Sequence, residues 1–155
     1  MEYIDGVGMD SLSDAQKTIV QEELEQHVQA MHKLRSHSPG GPSGLVVPPY
    51  RVTRKTLNDD WSYLRRPSET EEFSFCHNDL SQANVMVDPI SLKIKAVLDW
   101  EYAGFYPGFF DSRFFERLGP SVAINGEADD TERLIQFLEA RMQEGPSCAG
   151  NNPAS

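Results

Sequence analysis

The sequence predicts an α+β fold, mainly helical, with one β-hairpin at about residues 85–98. Three observations carry that prediction. Apolar positions at Val20, Leu24, Val28, Met31 and Leu34 recur every three or four residues, the period of one helix face. Two short β-rich runs, 85–87 and 93–98, flank Asp88-Pro-Ile-Ser91, a turn sequence. Further along, Phe109, Phe110, Phe114, Phe115 and Leu118, then Leu134, Ile135, Leu138 and Met142, return to helical spacing. A chain of 155 residues with 39% hydrophobic and 25% charged residues has the balance of one ordinary globular domain.

The elements follow in order. Gly6 and Gly8 break a short opening segment. Ser13 with Gln16 three residues on reads as a capping box, so the first helix is expected over about 14–35. His27 and His32 lie on or beside its apolar face and read as packed or surface histidines. Residues 37–50 hold Pro39-Gly-Gly-Pro-Ser-Gly44 and Pro48-Pro49, and must be loop. Residues 51–72 are polar, with Trp61, Tyr63 and Leu64 as anchors of a short helix. A strand is expected at 73–75 and a polar loop at 77–84. Gly104, Pro107 and Gly108 mark a bend. A helix is then expected over 109–118, ended by Gly119-Pro120, and a last one over 128–142. Residues 144–155 are rich in Gly, Pro, Ser and Asn and read as a disordered tail.

Composition excludes some function classes. With 14 Lys and Arg against 24 Asp and Glu, the net charge is −10. A general nucleic-acid binder needs the opposite sign to displace counterions from phosphate. Cys76 and Cys148 show no CxxC spacing, which argues against a zinc site or a disulfide framework and for a reducing compartment. The first residues carry no basic and apolar leader, and no apolar run approaches the roughly 20 residues of a membrane span. A cytoplasmic protein without membrane contact is expected.

The chemistry concentrates in 77–99. An antiparallel hairpin brings its two outer ends, Asn84 and Asp99, side by side. His77-x-Asp79-Leu80-x-x-x-Asn84 has the H-x-D-L-x-x-x-N spacing of a kinase catalytic loop. Phosphoryl transfer needs a carboxylate to orient and deprotonate the acceptor hydroxyl, and hard oxygen ligands for Mg²⁺. Asp79 suits the first task; Asn84 and Asp99 suit the second. The competing structural explanation is that all three cap turns around a hairpin, as Asn and Asp often do.

The run from Phe75 to Asp88, followed by Val97-Leu-Asp-Trp-Glu-Tyr-Ala-Gly104, resembles the aminoglycoside phosphotransferase and choline kinase-like family, within the protein-kinase-like superfamily. Asp99-Trp100-Glu101 is similar to the small-molecule kinases rather than to the protein kinases, and the segments 39–44 and 101–107 look most similar to fungal members. The resemblance implies that residues 1–143 are a kinase-like C-terminal lobe using ATP and Mg²⁺ to phosphorylate a hydroxyl of a small-molecule acceptor. It implies that residues 1–8 are the hinge, with the backbone of Glu2 and Ile4 receiving adenine. His77 and Asp111 would brace the catalytic loop, and Glu101 would lie near the metal or on the surface.

The family's N-terminal lobe, with its glycine-rich loop and lysine, has no counterpart here. Gly6-x-Gly8 and Pro39–Gly44 do not make a phosphate loop. The chain is therefore expected to be truncated, with a partner covering the face the missing lobe leaves. The alternative is a non-catalytic binding or regulatory pseudokinase fragment. A metal-dependent hydrolase using His77, Asp79 and Asp99 is a third reading, weakened because a two-metal site needs more ligands.

Overall fold

The computed structural model describes residues 2–144. The tail beyond Glu144, with Cys148, lies outside the described residues. The chain runs β1 (Val7–Gly8), α1 (Asp14–His32), β2 (Arg35–Ser36), α2 (Tyr50–Thr53), β3 (Phe73–Cys76), β4 (Val85–Val87), β5 (Ile94–Val97), β6 (Gly104–Tyr106) and α3 (Thr131–Gln143). Single 3-10 turns fill several of the gaps.

The helix α1 starts where the capping box predicts. The Gln16 amide donates to Ser13 Oγ, and the Ser13 amide donates back to Gln16 Oε1 at 3.0 Å. Val20 and Leu24 on its apolar face are buried, whereas Leu34, past the helix end, is exposed.

Two three-stranded antiparallel sheets organise the rest, in the orders β1-β4-β5 and β2-β3-β6. The hairpin β4–β5 pairs Val85 with Val97 and Met86 with Ala96. Its turn closes on Asp88, whose Oδ1 accepts the amides of Ile90 and Ser91 at 2.9 Å each. In the second sheet β3 pairs Arg35 with Ser74 on one side and Cys76 with Gly104 on the other. Gly104 meets the backbone of Gly40 there: a Cβ at Gly104 would lie 2.7 Å from the Gly40 carbonyl carbon. Only glycine allows that contact, which ties the Pro/Gly loop to the sheet through the Gly40–Phe105 bridge.

The loop 77–84 therefore joins the middle strand of one sheet to the middle strand of the other. Its ends sit in different cores. Cys76 packs with Val52, Leu64, Tyr106, Phe110, Leu134 and Leu138. Leu80 and Val85 pack with Met9, Val20, Leu24, Val87 and Phe115. Burial of both ends fixes the loop more firmly than its own polar sequence would.

Helices contribute less than the sequence predicts, for only α1 and α3 exceed about one turn. The helix expected over 109–118 is two 3-10 turns, Gly108–Phe110 and Phe114–Glu116, separated by Asp111 at φ −91°, ψ 68° and Arg113 at φ −85°, ψ 54°. Neither dihedral pair is helical. The chain breaks there because the Asp111 side chain is turned onto the loop at 77–78. In α3, Leu134 and Leu138 point inward as expected, but Met142 is exposed and Arg141 is buried in its place. The Arg141 guanidinium lies over the Phe73 ring and donates to the Arg66 carbonyl, so its stem and fork fill a core-edge position.

Arg51 is the other buried cation, 1% exposed. Its fork binds the Asp130 carboxylate at 2.9 Å through both Nε and Nη2. It also donates to the carbonyls of Asn78 at 3.2 Å and Phe110 at 2.7 Å. One side chain on α2 thus ties the loop at 77–84 to the start of α3. Arg51→Ala should cost about 3 kcal/mol in a urea melt, because it strands the Asp130 carboxylate and two carbonyls. Arg51→Lys should recover only part of that, since an ammonium cannot reproduce the fork.

Candidate active site

The loop leaves β3 through His77, which is fully buried. Its ring is used at both nitrogens: the Asp79 amide donates to Nδ1 at 3.2 Å, so Nε2 carries the proton and donates to the Leu98 carbonyl at 2.8 Å. Burial pushes the His77 pKa below its usual value. Asn78 follows in the left-handed region at φ 70°, a conformation asparagine tolerates. Its amide nitrogen donates to the Tyr102 carbonyl at 2.9 Å, which fixes the side-chain orientation and leaves the buried Oδ1 without a partner.

Asp111 binds this turn. Its Oδ1 accepts the Asn78 amide at 3.1 Å and its Oδ2 accepts the His77 amide at 3.3 Å. His32, at the end of α1, sits 3.0 Å from the same Oδ2. Bonds to an ionised acceptor are worth about 1.5–3 kcal/mol each, more than the ~1–2 kcal/mol of a left-handed residue. The carboxylate therefore carries the strained turn. His32, Cys76 and Asp111 also form a compact group of ligand-type atoms. Burial and the Asp111 charge push the Cys76 thiol far up, so it stays protonated.

The far end of the loop meets the hairpin. The Leu98 amide donates to the Asn84 carbonyl at 2.7 Å, so Asn84 and Asp99 emerge from neighbouring strand ends. Asn84 Nδ2 donates to the Asp79 carbonyl at 2.7 Å, leaving Oδ1 as its open atom. Asp99 takes a left-handed conformation at φ 58° and is exposed. Asp79, Asn84 and Asp99 line one cavity of about 380 Å³, together with Asn78, Ser121, Arg54, Glu101 and Tyr102. Glu2 and Ile4 lie elsewhere. They line a second, more apolar cavity of about 580 Å³ with Tyr3, Met86 and Leu98, and Asp99 borders both.

Six of the residues singled out by the sequence thus fall into two connected groups. Asp79, Asn84, Asp99 and Glu101 line one space, and His77 and Asp111 stand behind it. Sequence reasoning read His32 only as a packed or surface histidine, without its Asp111 partner, and did not single out Arg51, Asn78, Arg54 or Ser121. A single histidine or arginine carries no periodic signal, and long-range contacts such as 32 to 111 and 51 to 130 exist only once the chain is folded.

Because burial lowers the His77 pKa, the folded chain resists a proton that the unfolded chain takes up near 6.5. Its contribution to stability is present above that pH and is lost as pH falls below it. Urea midpoints measured at pH 7.5 and 5.5 should drop, and His77→Gln should show a smaller drop than the native chain.

A family model for the phosphotransferase enzyme family matches residues 21–112, more than half of the chain and the whole loop–hairpin–Asp111 frame. Probable choline kinase 1 of Arabidopsis thaliana is 40% identical over 47 residues, which is 30% of this chain and 13% of that protein. The chain therefore spans a small part of the length of that relative. No solved structure matches. Among the described residues, no helix is long and apolar enough to cross a membrane. With a catalytic-type loop between two sheets, an adjoining hairpin and a family match across both, the chain belongs to the phosphotransferase enzyme family.

Proposed function

We propose that the chain is the catalytic portion of an ATP-dependent kinase that transfers the γ-phosphoryl group to a hydroxyl of a small-molecule acceptor. The observation that carries this is the single cavity shared by Asp79, Asn84 and Asp99. Asp79 holds the acceptor hydroxyl and takes its proton as the new O–P bond forms and the bond to the β,γ-bridging oxygen breaks, releasing ADP. His77 takes no part in the proton transfer, since both ring nitrogens are spent on backbone groups. Its role, with Asp111, is to hold the turn that presents Asp79. The backbone of Glu2 and Ile4 borders an apolar space of the right character for adenine, and Asp99 links that space to the reacting end.

The donor set fits Mg²⁺. The amide nitrogen of Asn84 is occupied, so its free oxygen and the Asp99 carboxylate offer hard ligands at adjacent positions. A bound Mg²⁺ would neutralise charge on the triphosphate. A hydrolase built on His77, Asp79 and Asp99 is disfavoured because the His77 nitrogens are not available as ligands.

A second reading has one observation in its favour. An apolar groove of about 450 Å³ runs between α1 and β5, lined by Leu24, Met31, Leu34, Ile94, Val97 and Trp100. Leu34 and Trp100 are 56% and 44% exposed. Such a face suits a covering element or partner, and a chain that had lost catalysis would keep it as a binding surface. The two readings separate on whether a preparation holding this chain transfers phosphoryl groups from Mg·ATP at all, no transfer leaving the binding reading; the role of Asp79 is tested next. In a catalytically competent preparation assayed with Mg·ATP, Asp79→Asn should reduce phosphoryl transfer by about 10²-fold or more while leaving nucleotide affinity unchanged. Transfer persisting near the native rate would remove Asp79 from the role of base.

A further inference from the structure

The cavity that holds Asp79 contains polar groups the reaction above does not use. Asn78 is 3% exposed, and its Oδ1 is buried without a hydrogen-bond partner. Ser121 Oγ is also buried and unpartnered, and it lines the same cavity. A folded chain rarely leaves such atoms orphaned unless something polar completes them.

Ser121 is held in position by a built loop. Arg117 donates to the carbonyls of Pro120 at 2.8 Å and Val122 at 2.7 Å, on either side of Ser121. The same guanidinium pairs with Glu127 through Nε at 2.7 Å and Nη2 at 2.9 Å. Glu127 in turn accepts the Ile124 amide at 3.1 Å, and its pKa is lowered to about 2 chiefly by the Arg117 hydrogen bond. The loop is thus wrapped around one ion pair, and Ser121 is carried on it to the cavity wall.

Arg54 stands apart from its neighbours. Arg51 is taken by Asp130 and Lys55 by Asp129. Arg54 lies between them in sequence, lines the cavity and is the only cation among its lining residues. Among the described residues it pairs with no carboxylate, although Asp79, Asp99 and Glu101 line the same space. A free guanidinium offers a planar fork of N–H donors suited to phosphate or carboxylate oxygens.

We infer that Arg54 and Ser121 form an oxyanion subsite beside Asp79. It rests on the kinase reading for its purpose but not for its existence. The oxyanion has two possible sources with the same chemistry: the phosphoryl group in transit, or an anionic group on the acceptor itself. Asn78 Oδ1 accepts a hydrogen bond from a hydroxyl of the molecule bound there.

The test is calorimetric titration of the full chain with inorganic phosphate, with and without Mg·ADP, and separately with glycerol 3-phosphate and with glycerol. Phosphate should bind the native chain, and Arg54→Gln should weaken it at least tenfold, the scale of a lost charge-assisted bond. Ser121→Ala should weaken it about threefold or more. Arg54 is exposed, so its variant should keep the native melting temperature, and Ser121→Ala serves as the second probe. Phosphate binding tightened by Mg·ADP assigns the subsite to the transferred group. Glycerol 3-phosphate binding without nucleotide, with glycerol failing to bind, assigns it to the acceptor. The proposal is overturned if neither oxyanion binds, or if binding is the same in both variants. Loss of Mg·ADP binding with Arg54-dependent phosphate binding intact would instead defeat the kinase reading and leave the subsite standing.

Discussion

One carboxylate holds the rest in place. Asp111 accepts the amides of His77 and Asn78 and lies 3.0 Å from His32, so α1, the end of β3 and the segment after β6 converge on it. Without that acceptor the two amides would point into a protein interior with nothing to bind, and the left-handed turn at Asn78 would lose its main compensation. The turn in turn sets the direction of Asp79. The cost appears nearby: the helix that aromatic spacing predicts over 109–118 is broken so that Asp111 can face the loop.

A second constraint is the position of the loop between the middle strands of two sheets. Middle strands are paired on both edges, so neither end of the loop can shift without breaking a ladder. Leu80 and Cys76 add burial in separate cores. Arg51 closes the arrangement from the side by binding the Asn78 carbonyl and Asp130 together. The result is a polar cavity whose lining groups are held in place before anything binds.

Much of this was legible in the sequence, for local reasons. The capping box, the Asp88 turn and the two short β-rich runs of the hairpin are short-range signals, and the structure forms each where those residues stand. The adjacency of Asn84 and Asp99 followed from antiparallel pairing alone. The α+β class followed from the same signals. What was not legible depends on long-range packing. Arg141 replaces Met142 on the inner side of α3 because the Phe73 ring and the Arg66 carbonyl await it. Arg51 and His32 acquire partners 79 residues away. The strands β1, β2 and β6, of two or three residues, exist only because a longer neighbour templates them.

The most direct test of the account is the location of a divalent ion and a nucleotide in one crystal. With Mn²⁺ and a non-hydrolysable ATP analogue, the anomalous peak should fall between the Asn84 Oδ1 and the Asp99 carboxylate, with the terminal phosphate facing Asp79. An ion bound elsewhere while the nucleotide is in place, or a nucleotide seated away from Asp99, would contradict the assignment of this cavity to phosphoryl transfer.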